Sequence, residues 1–248
     1  MVSRALQQNK PKRPIVSVAE LPLPRQLLPF IALGDDLRSI TSRVLNLTRL
    51  VLGMRQDEVN SMIRSSIKRV TLSNASPAWR VVQFRTAKSK AITRHHFAYD
   101  ANYLECITVS DSSTMHCTDP ALASFCPACE LLKLKQMVDD IPAAAAHDHV
   151  FVNSLYPNKQ LATSTVAAKA TEILNKWTAA APGRKAYTSH ALREIAVNTL
   201  NAKGVPEREI QARGTIGGAS QSPSAHLQQS CGSDKFFKQN PQELIVRL

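Results

Sequence analysis

The sequence predicts a mainly α fold with a small antiparallel β-sheet of two or three strands, and three observations carry that expectation. Apolar residues recur at helical spacing in several separate segments. One stretch between them mixes Val81, Val82 and Phe84 with Arg and Gln on either side of a turn. The 248 residues are 44% apolar and 20% charged, a balance that supports a packed core. No uninterrupted apolar run approaches the roughly 18 residues of a membrane-spanning helix, so a transmembrane protein is excluded.

The elements follow in order. Pro11, Pro14, Pro22, Pro24 and Pro29 prevent a long helix over residues 1–30, and residues 1–34 read as a Pro-rich basic arm. From Asp36 to Gly53, Leu37, Ile40, Val44, Leu47 and Val51 mark a helix, with Asp35 and Asp36 at the positive end of its dipole. A second helix is expected from about Asp57 to Lys68. Trp79 to Thr86 reads as a strand, Ala87 to Lys90 as a turn, and Ile92 to Ala98 as the returning strand. Residues 100–128 read as irregular and hold three of the five cysteines, with Cys129 directly after them.

Glu130 to Asp139 is expected to be helical, through Leu131, Leu134 and Val138. Pro142 and the alanines at 143–146 mark a connection. Ser164 to Trp177 carries the clearest amphipathic stripe, with Val166, Ala170, Ile173, Leu174 and Trp177. A further helix from Ser189 to Asn201 ends at Gly204, a residue suited to a left-handed cap. Pro206 opens a short helix through Ile210, and the Gly-, Ser- and Gln-rich tail beyond Gly214 carries no assigned element.

Thirty-one Lys and Arg against 19 Asp and Glu give a net charge of +12. Between Arg38 and Arg94 there are 12 basic residues, and Asp57 and Glu58 are the acids. A surface this basic favours a polyanionic partner, nucleic acid first. The odd number of cysteines fits a reducing intracellular compartment better than a disulfide framework. The N-terminus has no apolar signal-peptide stretch. Its Arg4, Lys10, Lys12 and Arg13 suit a basic arm, with organelle targeting or nuclear import as the alternative.

Cys126 and Cys129 form a C-x-x-C pair, and Cys117 precedes them by nine positions. These three are the metal candidates, with Cys106, His95, His96 and His116 as further ligands for a tetrahedral zinc; buried free thiols are the alternative.

Two segments carry the other chemistry. One is Leu52-Gly53-Met54-Arg55-Gln56-Asp57-Glu58-Val59. The other is Thr188-Ser189-His190-Ala191-Leu192-Arg193, followed by a helix and Lys203-Gly204-Val205. Two arginines, a lysine and a histidine suit a phosphodiester: guanidinium forks pair with non-bridging oxygens, and the other two groups can move protons.

The order and wording of these segments resemble the catalytic domain of the tyrosine recombinase, or phage integrase, family. "LGMRQDEV" is similar to its first-arginine box and "SHALRE" to its H-x-x-R box. "TAKSK" stands where the family carries a β-hairpin lysine, and "DPALASFCPACELL" is similar to a segment preceding a helix. The resemblance covers about residues 37–216 and implies a catalytic-domain-like unit at 35–228, with residues 229–248 as a C-terminal tail for docking on another subunit.

The resemblance further implies that Arg55 and Arg193 hold the scissile phosphate and that His190 assists proton transfer. Lys88 is the general acid, with Lys90 as the alternative, and Glu58 buttresses the arginine box. Arg85, Lys90 and Arg94 join Arg55, Lys88 and Arg193 as DNA contacts. No cofactor is implied. The partner is double-stranded DNA, bound by a homo-oligomer inside the cell, in the nucleus or nucleoid, with an organelle as a further option.

The departures shape the functional expectation. Ile216 stands where the family has a second His or Trp. Ser224, Ala225, His226 and Leu227 occupy the region of the nucleophilic tyrosine, and Tyr187 is the last tyrosine in the chain. The expected function is therefore DNA binding by a degenerate relative of the DNA integration and recombination enzymes, without strand cleavage of its own. One alternative is an active recombinase of a mobile element with a displaced nucleophile, His226 being the candidate. Another is an unrelated basic RNA-binding or scaffold protein, in which the four family residues would be scattered in space.

Overall fold

The computed structural model describes residues 21–71, 77–86, 97–106, 117 and 120–205. Its first helix, α1 (Pro24–Leu27), is one turn long, as its prolines require. Yet residues 21–34 do not lie apart as an arm. Leu27 and Ile31 are buried in the main core, with Leu21, Leu28 and Phe30 packed against it. Burying these apolar groups outweighs the extended preference of the prolines.

Helix α2 (Leu37–Leu52) is the centre of the fold. Asp36 caps it, its carboxylate accepting from the backbone N–H of Arg38 at 2.9 Å and of Ser39 at 3.1 Å. Gly53 closes it at φ 63°, donating its N–H to the Arg49 carbonyl at 2.9 Å. Every residue from Ile40 to Leu52 is buried, polar ones included. The apolar stripe of the sequence therefore describes one face of a helix that is enclosed on all sides.

Helix α3 (Gln56–Asn60) is shorter than the expected helix over Asp57 to Lys68. The Asn60 side chain donates to the Leu161 carbonyl at 2.7 Å, and Ile63 pairs with His149 as an isolated bridge. Beyond Asn60 the backbone bonds outside the helix, Arg64 N–H donating to the Asp148 carbonyl at 2.8 Å and the Met62 carbonyl accepting from Val150 N–H at 3.1 Å. After a 3-10 turn at Arg64–Ser66 the chain enters β1 (Lys68–Thr71).

Strands β1, β2 (Pro77–Thr86) and β3 (Phe97–Glu105) form one antiparallel sheet in the order β1-β2-β3. Lys68 pairs with Arg80, and Phe84 with Tyr99. Residues 92–96 of the strand expected at Ile92 to Ala98 lie outside the described residues, and β3 continues from Phe97 through Glu105, over residues read as irregular. Phe97, Tyr99 and Tyr103 are residue types with a strong β preference.

Helices α4 (Pro120–Ala123) and α5 (Pro127–Asp139) follow, with a 3-10 turn at Pro142–Ala146. Helices α6 (Thr163–Ala179) and α7 (Ala191–Ala202) complete the described chain. Helix α2 packs against α5, α6 and α7. Gly183 and Gly204 both adopt positive φ, the second where the sequence placed a left-handed cap. Among the described residues no helix is long and apolar enough to cross a membrane.

Candidate functional site

The two sequence boxes meet where the C-terminal end of α2 packs on α7. A Cβ added at Gly53 would stand 3.7 Å from the Ala196 Cβ, so the chain turns out of α2 directly against α7. Arg49, in the last turn of α2, donates from Nη2 to the Ser189 carbonyl at 2.7 Å. Ser189 Oγ lies 3.3 Å from Gln56 Oε1, a second link between the boxes.

Glu58 organises the charges. Its Oε2 accepts from the Arg55 backbone N–H at 2.7 Å, capping α3, and its Oε1 accepts from Arg55 Nη1 at 3.2 Å. The same carboxylate lies 3.6 Å from Arg193 Nη1. Arg55 and Arg193 are thus drawn to one acid. Arg193 is buried in the first turn of α7, whereas Arg55 remains about one-third exposed. Burial lowers the Arg193 pKa, the nearby Arg55 cation lowers it further, and Glu58 opposes both.

The sequence did not single out Arg49. It is 2% exposed, and among the described residues its buried Nε and Nη1 have no hydrogen-bond partner. Burial, and then the positive charge of Arg193, pull its pKa down to about 10, so it stays charged at neutral pH. The available signal was an arginine within an apolar helical run, with no acid anywhere in Leu37–Leu52 to pair with it.

His190 is exposed and caps the N-terminal end of α7, its Nε2 3.9 Å from Glu194 Oε1. The structure therefore brings Arg55 and Arg193 to one carboxylate and sets Arg49 beside Arg193, while His190 stands at the start of α7 with Glu194 as its neighbour. Lys88, Lys90, Arg94, Ile216 and His226 lie outside the described residues, as do the short helix expected at Pro206–Ile210 and the tail at 229–248. Arg85 is placed by its backbone in β2. Two guanidinium groups share the Glu58 carboxylate, and the third, on Arg49, neighbours Arg193, which leaves an excess of positive charge suited to a tetrahedral oxyanion.

A second cluster lies at the other end of α2. The sulfurs of Cys106, Cys117, Cys126 and Cys129 all fall within 4.8 Å of one another. Cys106 follows β3, Cys126 caps α5, and Cys129 stands in its first turn. Hydrogen bonding among the thiols, that from Cys106 first, pushes the Cys129 pKa up to about 12 and raises Cys126 further. The structure thus adds Cys106 to the three cysteines the spacing favoured. His95, His96 and His116 lie outside the described residues.

The same fold occurs in a solved structure, that of the XerH site-specific recombinase bound to its difH substrate in a pre-cleavage complex. The likeness has a TM-score of 0.52 at 15% identity and covers 86% of this chain. The fold is tyrosine recombinase-like. The chain spans about half, 52%, of the length of that recombinase. No family model matches this tyrosine recombinase-like chain, and no curated protein does.

Proposed function

We propose that this protein binds double-stranded DNA by seating a backbone phosphate among Arg49, Arg55, Arg193 and His190, and that it does not cleave the strand on its own. The observation that supports the proposal is the grouping of Arg55 and Arg193 on Glu58 with Arg49 beside Arg193, two of the Arg49 nitrogens lacking a hydrogen-bond partner among the described residues. A phosphate oxygen would supply the missing acceptor. In the same reading Arg85, Lys88, Lys90 and Arg94 extend the contact along the duplex, and the protein works inside the cell, where DNA is. The basic segment from Arg38 to Arg94 supports this.

The lack of a tyrosine after Tyr187 supports binding without a phosphotyrosyl intermediate. A labelled nicked duplex tests both halves. The expected result is a native mobility shift that weakens steeply with salt, each neutralised phosphate contributing about 0.9 to the logarithmic slope, and no band surviving SDS. A covalent protein–DNA band would establish a nucleophile and overturn the non-cleaving half; exchange of His226 for alanine would then test that residue. No shift at low salt would overturn DNA binding. Residues 229–248 are proposed as a docking tail between copies on DNA; an unchanged mass in solution for a chain ending at residue 228, across a concentration series, would refute that.

A further inference from the structure

We propose that Cys106, Cys117, Cys126 and Cys129 form a closed structural zinc site that clamps the end of β3 to the start of α5. Three features carry this inference, and none depends on the arginine site.

The first is distance. A tetrahedral zinc with Zn–S bonds of about 2.3 Å holds its four sulfurs about 3.8 Å apart. Here Cys106 Sγ lies 3.2 Å from Cys117, 3.7 Å from Cys129 and 3.8 Å from Cys126, and Cys117 lies 3.6 Å from Cys129. Each sulfur faces several others at similar range, so the group does not divide into two pairs as two disulfides would. A multi-iron cluster would interpose its own iron and sulfide atoms and hold the thiolates well beyond 4.8 Å.

The second is support around the sulfurs. The Cys129 N–H points at Cys126 Sγ at 3.5 Å, and the Cys117 N–H at Cys129 Sγ at 3.3 Å. Backbone donors of this kind stabilise thiolate ligands and fix their orientation. Cys126 and Cys129 also occupy the N-terminal end of the 13-residue α5, where the helix dipole favours negative charge.

The third is donor set and access. Four cysteines form a closed site with no open position for substrate, which is the structural type of zinc centre. Cys106 and Cys126 are buried, while Cys117 and Cys129 border a surface groove that gives an ion a way in. Loading replaces four thiol protons by one Zn²⁺, so retention should strengthen as pH rises.

Elemental analysis of the full chain, purified without chelator, is the test. About one zinc per chain is expected, with Cys126→Ser lowering retained zinc at least tenfold after dialysis. If that variant does not fold, the wild-type chain loaded with Co²⁺ provides the readout: intense thiolate-to-metal charge transfer with tetrahedral visible bands is expected. Folded, reduced protein with less than about a tenth of a zinc per chain and freely reactive cysteines would overturn the proposal. So would disulfides among these residues, or iron in place of zinc.

Discussion

Arg43 and Arg49 occupy the same helix and are equally withdrawn from water, at 0% and 2% exposure, but their charges are met in different ways. Arg43 Nε donates to Glu130 at 2.6 Å, and its Nη1 donates to the carbonyls of Ala32 at 2.8 Å and Gly34 at 3.1 Å. Arg49 has one carbonyl acceptor and a second guanidinium for a neighbour. The Arg43 charge is met by a carboxylate and two carbonyls of its own chain, and its Nη2, 3.9 Å from Asp35, lacks a hydrogen-bond partner among the described residues. A buried charge left incomplete beside other cations marks a place where an anion from outside is needed. Among the described residues an acid stands beside Arg43 and a competing cation beside Arg49.

The largest effect is expected where the pair is complete. Glu130→Ala strands the Arg43 charge and should cost about 3–5 kcal/mol in urea unfolding. Replacing both partners, as Arg43→Met with Glu130→Leu, should recover much of that loss. A cost under about 1 kcal/mol for Glu130→Ala would break the contrast from the Arg43 side.

At the other end the effect should move from stability to binding. Arg49→Met should lower duplex affinity about tenfold or more in a mobility-shift titration, the loss expected for one charged contact of about 1.5 kcal/mol. Its unfolding free energy should stay within about 1 kcal/mol of the wild type, because the charge removed was poorly satisfied. A large stability loss with unchanged DNA affinity would reverse the assignment.

Inorganic phosphate should sharpen the same point. Present at 100 times its Kd, a ligand of the folded state adds about 2.7 kcal/mol, visible as a rise in Tm. That rise should be lost in Arg49→Met and retained in Lys176→Met, whose lysine is exposed on α6 and salt-bridged to Glu172.

His149 shows a third response to burial, and here the smallest effect is expected. Its Nδ1 is buried without a hydrogen-bond partner. Burial, and then the neighbouring His147, lower its pKa below the ordinary 6.5, against the pull of Asp148. Between the lowered value and 6.5 the unfolded chain binds more protons than the folded one. Stability contributed by the neutral ring is therefore full above pH 6.5 and falls as pH drops through that window. A Tm series from pH 7.5 to 5.5 should decline less in His149→Asn than in the wild type.

Much of the helical layer was legible in the sequence, because periodicity and caps are local. Helix α2 was bounded by Asp36 and Gly53, and α6 by its apolar stripe from Val166 to Trp177. The meeting of Arg55 with Arg193 came through a family resemblance, since the residues lie far apart in the chain. What sequence reasoning missed or left open depends on long-range neighbours. Arg49 reads as one more basic residue until α7 covers it, and Cys106 is one of several further ligand candidates until β3 delivers it to α5. The early end of α3 likewise follows from Leu161 and His149, about a hundred residues away from their partners in sequence.

Helix α2 also acts as a ruler. Glu130, which holds Arg43, directly follows Cys129, while Ser189, which holds Arg49, directly precedes His190. The cysteine cluster and the arginine cluster are therefore gauged against each other by six residues, about 9 Å along the axis. A single residue inserted between Arg43 and Arg49 would turn one end about 100° relative to the other. Either arginine could then keep its partner, but not both, so the spacing between them is fixed as firmly as their identities.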